Sequence, residues 1–279
     1  MANISFSEPF CGIIQNLVKV LPKSATMIYR KDGMSRISFS DGGMLVHVAA
    51  GEADFQFDGD SIGLASLAEF FKYSKAIGYP KTGKIEMTKE VSISGHTYEF
   101  VKFSGNRRTL RCRVIDRSYF DKTATKVPTS KENNPFQLVA SVLLTPEKLK
   151  EVDEMRKLVT GCEHATLTCG DNAVNMAMRG KTGQQVDLMF GYPDVKINSE
   201  VATAAYANNV LRMFPMKYFG ILYGLGCNFE MEMRFSPERN AMSLPAYGGC
   251  QGVGPDQIFV YVGCVESEAA TIANIDLVR

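Results

Sequence analysis

Residues 121–135 read DKTATKVPTSKENNP. The stretch holds two prolines, Pro128 and Pro135, among Thr, Lys, Asn and Ser, with almost no large apolar side chain. Such a composition buries too little surface to offset the entropy of ordering, so it reads as an exposed connector. It falls near the midpoint of the 279 residues. The flanks are then either two unrelated domains or two versions of one unit.

Ahead of the connector, residues 4–7 alternate like a short strand, and the spacing predicts a helix over 8–21. Ser7 caps it and Pro9 sits in its first turn. Phe10, Ile13, Ile14, Leu17, Val20 and Leu21 recur on one face, with Gly12, Gln15, Asn16 and Lys19 opposite. Pro22 and Lys23 stop it. Short strands are expected at 25–30, 36–40, 44–50 and 54–57, split by turn residues that include Asp41-Gly42. A second helix is expected over 61–77, with Leu64, Leu67, Phe71 and Ser74 inward and Lys72 and Lys75 elsewhere. Strands return at 84–88, 91–94, 96–103 and 109–116.

Behind the connector, 136–144 reads as a strand. Thr145-Pro146 then opens a helix that runs to Gly161. Leu149, Val152 and Val159 mark its core side; Lys148, Lys150, Arg156 and Lys157 lie off it. Strands at 165–169, 173–178, 185–191 and 201–207, a helical turn at 208–214, and strands at 218–222, 227–235, 241–246 and 257–265 complete the half. Each half therefore reads strand, helix, four strands, helix, four strands, an architectural repeat with little residue identity. The expected fold class is α+β. The expected organisation is a domain at 1–122, a connector at 123–135, a second domain at 136–265 and a polar tail at 266–279.

The composition fits a globular chain with a real core, at 45% hydrophobic and 22% charged residues. No run of about 18 apolar residues exists, so no helical membrane span is expected. The opening MANISFSEPFCG lacks a basic segment followed by an apolar one, so no secretory leader is expected and the cytoplasm is the expected location. Seven Cys without framework or CxxC spacing read as free thiols. A net charge of +1 leaves the distribution of cations to decide any nucleic-acid role.

Four stretches, taken in order, carry a resemblance to a known family: FSDGGMLVHVAA (39–50), DGDSIGLASLAEFFKYSK (58–75), VLLTPEKLKEVDEMRKLV (142–159) and EVATAAYANNVLRMFPMKYFGILYG (200–224). With the duplicated halves, they resemble the DNA sliding clamps of the proliferating-cell-nuclear-antigen type, and the tailed-phage clamps in particular. The resemblance implies two similar clamp-type domains, with antiparallel sheets outside and amphipathic helices lining a ring. It implies a homotrimeric processivity factor with no chemistry and no cofactor of its own, on which double-stranded DNA, a DNA polymerase and a clamp loader converge. Such a ring tethers the polymerase to duplex DNA, and ATP is spent by the loader.

Sequence-independent phosphate attraction suits a ring that slides. The cations that meet this need are Lys19, Lys23, Lys72, Lys75, Lys148, Lys150, Arg156, Lys157 and Arg212; an ordinary solvated helix face would carry the same residues. By position in the family, the partner pocket would draw on Met44, Val46, Val127, Pro128, Tyr261 and Val262, which read equally as core strand residues. The tail with Ile272, Ile275 and Leu277 either competes for that pocket or, as chain ends commonly do, stays disordered. The subunit seam would pair Leu110, Arg111, Arg113 and Ile115 with Val186, Leu188 and Phe190 of a neighbour, covering open strand edges. The cluster Arg107, Arg108, Arg111, Arg113 and Arg117 has no assigned role.

The sequence carries no strong enzyme signature beside these. His47, His96 and His164 are isolated, and Cys162-Glu163-His164 with Cys169 matches no standard zinc spacing. Residues 179–183, RGKTG, lack the glycines of a phosphate loop and read as a turn, and the glycines at 248–254 precede no helix. Two other readings stand beside the ring: a β-rich viral capsid or tail protein, and a monomeric clamp-fold processivity subunit.

Overall fold

The computed structural model describes residues 4–21, 25–31, 34–41, 44–50, 53–59, 61–95, 97–115, 131, 134–170, 172–207, 212–250 and 253–263. Most of the connector, Arg117, His96, Lys23, Val127, Pro128 and the tail lie outside the described residues, and Arg113 is described in its backbone only. The chain divides into two compact units, one of residues 1–127 with 249–258, the other of 128–248 with 259–279.

The first unit runs β1 (Ile4–Phe6), α1 (Glu8–Val20), β2 (Ala25–Lys31), β3 (Met34–Asp41), β4 (Met44–Ala50), β5 (Phe55–Phe57) and β6 (Ser61–Leu64). It continues with α2 (Leu67–Ala76), β7 (Lys84–Val91), β8 (Thr97–Gly105) and β9 (Arg108–Ile115). β1 pairs with β5, and β4, β3, β2, β6, β9, β8 and β7 follow one another across an antiparallel sheet. Ser7 Oγ accepts from Phe10 N at 3.2 Å and Ser66 Oγ from Glu69 N at 3.3 Å, so both helices start on a hydroxyl cap. Their apolar faces meet over an aromatic core. Phe6 lies 4.9 Å from Phe55, Phe10 stacks 5.3 Å from Phe55, and Phe70 meets Phe103 edge-on at 5.2 Å.

The second unit repeats this order: β10 (Gln137–Leu144), α3 (Pro146–Leu158), β11 (His164–Cys169), β12 (Val174–Arg179), β13 (Gln185–Phe190) and β14 (Val195–Ile197). An extra helix, α4 (Ser199–Ala207), precedes β15 (Met213–Pro215), α5 (Met216–Leu225), β16 (Asn228–Ser236), β17 (Ala241–Cys250) and β18 (Val253–Gly263), of which residues 249–258 group with the first unit. The pairings repeat as well as the order. β10 pairs with β14 as β1 does with β5, β11 with β12 and β15 as β2 does with β3 and β6, and β12 with β13 as β3 does with β4. In each unit the two principal helices pack together, α1 on α2 and α3 on α5.

Four expected elements are corrected. Residues 61–64 are a strand, paired with β2, because Ile62 and Leu64 point to the core in alternation; the second helix begins only after the Ser66 cap. Residues 201–207 are helix: four alanines favour it, and Asn198 Oδ1 accepts from Val201 N at 3.3 Å at its start. Residues 218–222 are helix too, α5, whose Met216, Tyr218, Phe219, Ile221, Leu222 and Leu225 are all buried. A helix apolar on nearly every side shows no amphipathic period, so its short apolar run imitates a buried strand. Residues 92–94 form a turn rather than a strand, and the RGKTG segment is the hairpin turn between β12 and β13.

Candidate nucleic-acid and peptide interfaces

The helices place their cations as an amphipathic pattern requires, outward, but those cations differ in what they touch. On α1, Lys19 is exposed and donates to Asn16 Oδ1 at 3.3 Å. On α2, Lys72 and Lys75 are exposed, and among the described residues neither has a carboxylate within 4 Å. On α3 every cation is taken. Lys150 faces Glu154 at 3.7 Å, and Arg156 and Lys157 share Asp153 at 3.0 and 2.7 Å. Lys148 pairs with Asp194, and its ammonium also donates to Leu143 O at 3.2 Å.

Asp153 is the centre of that group. Burial alone would raise its pKa, but hydrogen bonds from Lys157 and Arg156, with their charges, outweigh burial and hold it below the usual carboxylate value. The same contact raises Lys157. Arg212, expected on a helical turn, instead directly precedes β15. It is half-buried, with its guanidinium 5.1 Å over the Tyr206 ring. Sequence reading did not single out Lys217, exposed on α5.

The strand edges differ in the same way. β13 is the outermost strand of its sheet, pairing only with β12 among the described residues. Val186 and Leu188 are half-covered and Phe190 is buried, while Met189 on the opposite face is 70% exposed. β9 pairs with β8 along its length, but β6 reaches only Val114 and Ile115 on its other side. Leu110 and Ile115 are half-covered, and Arg111 pairs with Glu90. Arg107 forms the β8–β9 turn with Asn106, both at positive φ (58° and 46°), which accounts for one member of the arginine cluster.

Of the expected partner-pocket residues that are described, Met44, Val46 and Val262 are buried and Tyr261 opens onto a pocket. That pocket, about 360 Å³, lies in the second unit between Phe136, Met242, Tyr261, Ser236, Ser243 and Arg239. Beneath it sits a buried ion pair. Arg234 Nε donates to Glu232 Oε2 at 2.6 Å, and its other nitrogens donate to Phe136 O at 2.8 Å and Lys131 O at 3.5 Å. Lys131 in turn pairs with Glu230 at 2.7 Å and lies 5.2 Å over the Tyr247 ring. The chain leaving the connector is thus fastened to β16 by charges that a composition-based reading does not reveal.

Among the described residues, no three His, Cys, Asp or Glu side chains converge as a metal site would require. Cys162 Sγ donates to His164 O at 3.3 Å, and burial raises the thiols of Cys11 (to about 11), Cys162 and Cys169.

No protein-family model matches the chain, and no curated protein matches it in sequence. Solved structures do match in fold. A. fulgidus PCNA, solved with the C-terminal region of FEN-1 bound, aligns with a TM-score of 0.57 at 14% identity. That alignment covers 96% of this chain and 99% of the other. PCNA from Thermococcus kodakaraensis aligns at 0.54 and 14%, covering 95% and 98%. The DnaN sliding clamp of Bartonella birtlesii, bound to griselimycin, aligns at 0.55 and 11%, covering 96% of this chain and 65% of that one.

Proposed function

We propose that this chain, whose fold is that of the sliding clamps, is a ring-forming processivity factor that tethers a replicative DNA polymerase to duplex DNA. The observation that carries the proposal is the duplicated unit: the same pairings and the same packed helix pair occur twice, in a chain that aligns over nearly its whole length with whole PCNA chains. Two such units per chain, in a family whose rings have six, make the assembly a homotrimer. The half-open edge of β9 then meets β13 of a neighbour, seating Leu110, Arg111, Arg113 and Ile115 against Val186, Leu188 and Phe190. The phage-type affiliation, a separate ATP-consuming loader, a cytoplasmic setting and the absence of catalysis belong to the same reading.

Within it, DNA is held by the outward cations of the helices. The two lysines of α2 lead, because no described carboxylate holds them back from a phosphate. Lys19, Lys150, Arg156 and Lys157 follow, with Lys23 expected beside them. Lys148 and Arg212 are the weakest members, since each is half-buried against its own unit. Partner proteins dock at Tyr261 and the pocket around it; Met44, Val46, Val127, Pro128 and Val262 stay in the proposal as the further residues expected of the partner site. Sedimentation tests the assembly. The account predicts a species near three times the 30.8 kDa chain mass that dissociates on dilution. A chain that stays monomeric at high concentration refutes the ring.

A further inference from the structure

We propose that the pocket at Phe136, Ser243 and Tyr261 selects a peptide that brings a carboxylate next to an apolar side chain. This deepens the docking role given above to Tyr261 and rests on it. Three observations converge. First, Ser243 is 5% exposed, and its Oγ is buried with no hydrogen-bond partner although it lines the pocket. A buried hydroxyl left unpaired is destabilising, so an acceptor arriving in the pocket relieves that cost. Second, Arg239 lines the same pocket from the one-turn 3-10 helix Pro237–Arg239, exposed, with no carboxylate within 4 Å among the described residues. The described lining residues include no Asp or Glu, so among them Arg239 brings the single charge, a positive one. Third, apart from Ser236 and Gly263 the rest of the lining is apolar or aromatic: Phe136, Ala241, Met242 and Tyr261.

A guanidinium and a hydroxyl donor beside two rings match a carboxylate attached to an apolar body. The guanidinium supplies a charge-assisted hydrogen bond, and the rings supply area. Arg234 takes a different part. Its charge is already met by Glu232, and its bond to Phe136 O fixes the wall on which the apolar group rests. It is a positioning residue, not a contact.

The test uses the full chain and two probes, N-acetyl-Phe-Glu amide and its neutral counterpart N-acetyl-Phe-Gln amide, with affinity read by saturation-transfer NMR. The acid is expected to bind at least about fivefold more tightly than the amide. Arg239→Gln, at an exposed site, is expected to abolish that preference while leaving amide binding unchanged. Ser243→Ala is expected to weaken the acid while leaving thermal stability unchanged or higher, since it removes an unpaired hydroxyl. A purely structural role for Ser243 moves stability and not affinity. Equal binding of the two probes, or a preference that survives Arg239→Gln, overturns the charge selection alone. Failure of both probes to bind overturns the docking reading together with it.

Discussion

Asp153 offers an unusual handle, because removing one acid should tighten DNA binding. Its carboxylate holds both Arg156 and Lys157, at 3.0 and 2.7 Å, and its own side chain is 16% exposed. Asp153→Asn keeps the shape and removes the charge that detains two cations. If one or both then reach phosphate, the slope of log K against log salt steepens by about 0.9 to 1.8. Between roughly 50 and 200 mM salt, that widens the loss of affinity by a further factor of about 3 to 12. The cost in stability stays within about 1 kcal/mol, because Lys157 and Arg156 are both well exposed and their pairs are screened. Fluorescence anisotropy of a labelled duplex across that salt range reads the slope. Weaker binding by Asp153→Asn, or an unchanged slope, would show that α3 does not face DNA.

The remaining predictions concern charge, core and turn. Lys72→Gln with Lys75→Gln should flatten the same slope by about 1.8, with unfolding unchanged, as measured by anisotropy and thermal melting. Because the folded pKa of Asp153 is depressed, its contribution is present above the unfolded value, near 3.9, and is lost as pH falls through the folded one. The stability gap between the parent and Asp153→Asn should therefore hold at neutral pH and close below about pH 4 in denaturant titrations. Arg234→Ala strands Glu232 in the interior and should cost about 3 to 5 kcal/mol, whereas replacing both with apolar residues should cost far less. Arg107→Gly should stabilise by about 1 kcal/mol, since a non-glycine residue at φ 58° carries left-handed strain; no gain would mean that the arginine side chain compensates.

The duplicated architecture was legible because its signals are local. Ser7 and Thr145 cap helices whose apolar residues recur every three or four positions, and Leu149, Val152 and Val159 are buried as their spacing requires. The start of α2 was misplaced because Leu64, three residues before Leu67, carried the helical spacing backward across a strand, past the Ser66 cap. The site was only half legible. Spacing of four residues foretells Lys150 with Glu154 and Asp153 with Lys157, yet nothing local ties Lys148 to Asp194 or Arg234 to the carbonyl of Phe136. Those contacts come from distant strands, and they decide which cations are available and where the pocket wall stands.

Encirclement is tested most directly on a plasmid. The protein, diluted to separate its subunits and then reconcentrated with nicked circular DNA, should remain on the circle through high-salt gel filtration. It should be released once a single restriction cut provides an end. Release from the intact circle at high salt, or retention after linearisation, would mean that the chain grips DNA by contact rather than by topology.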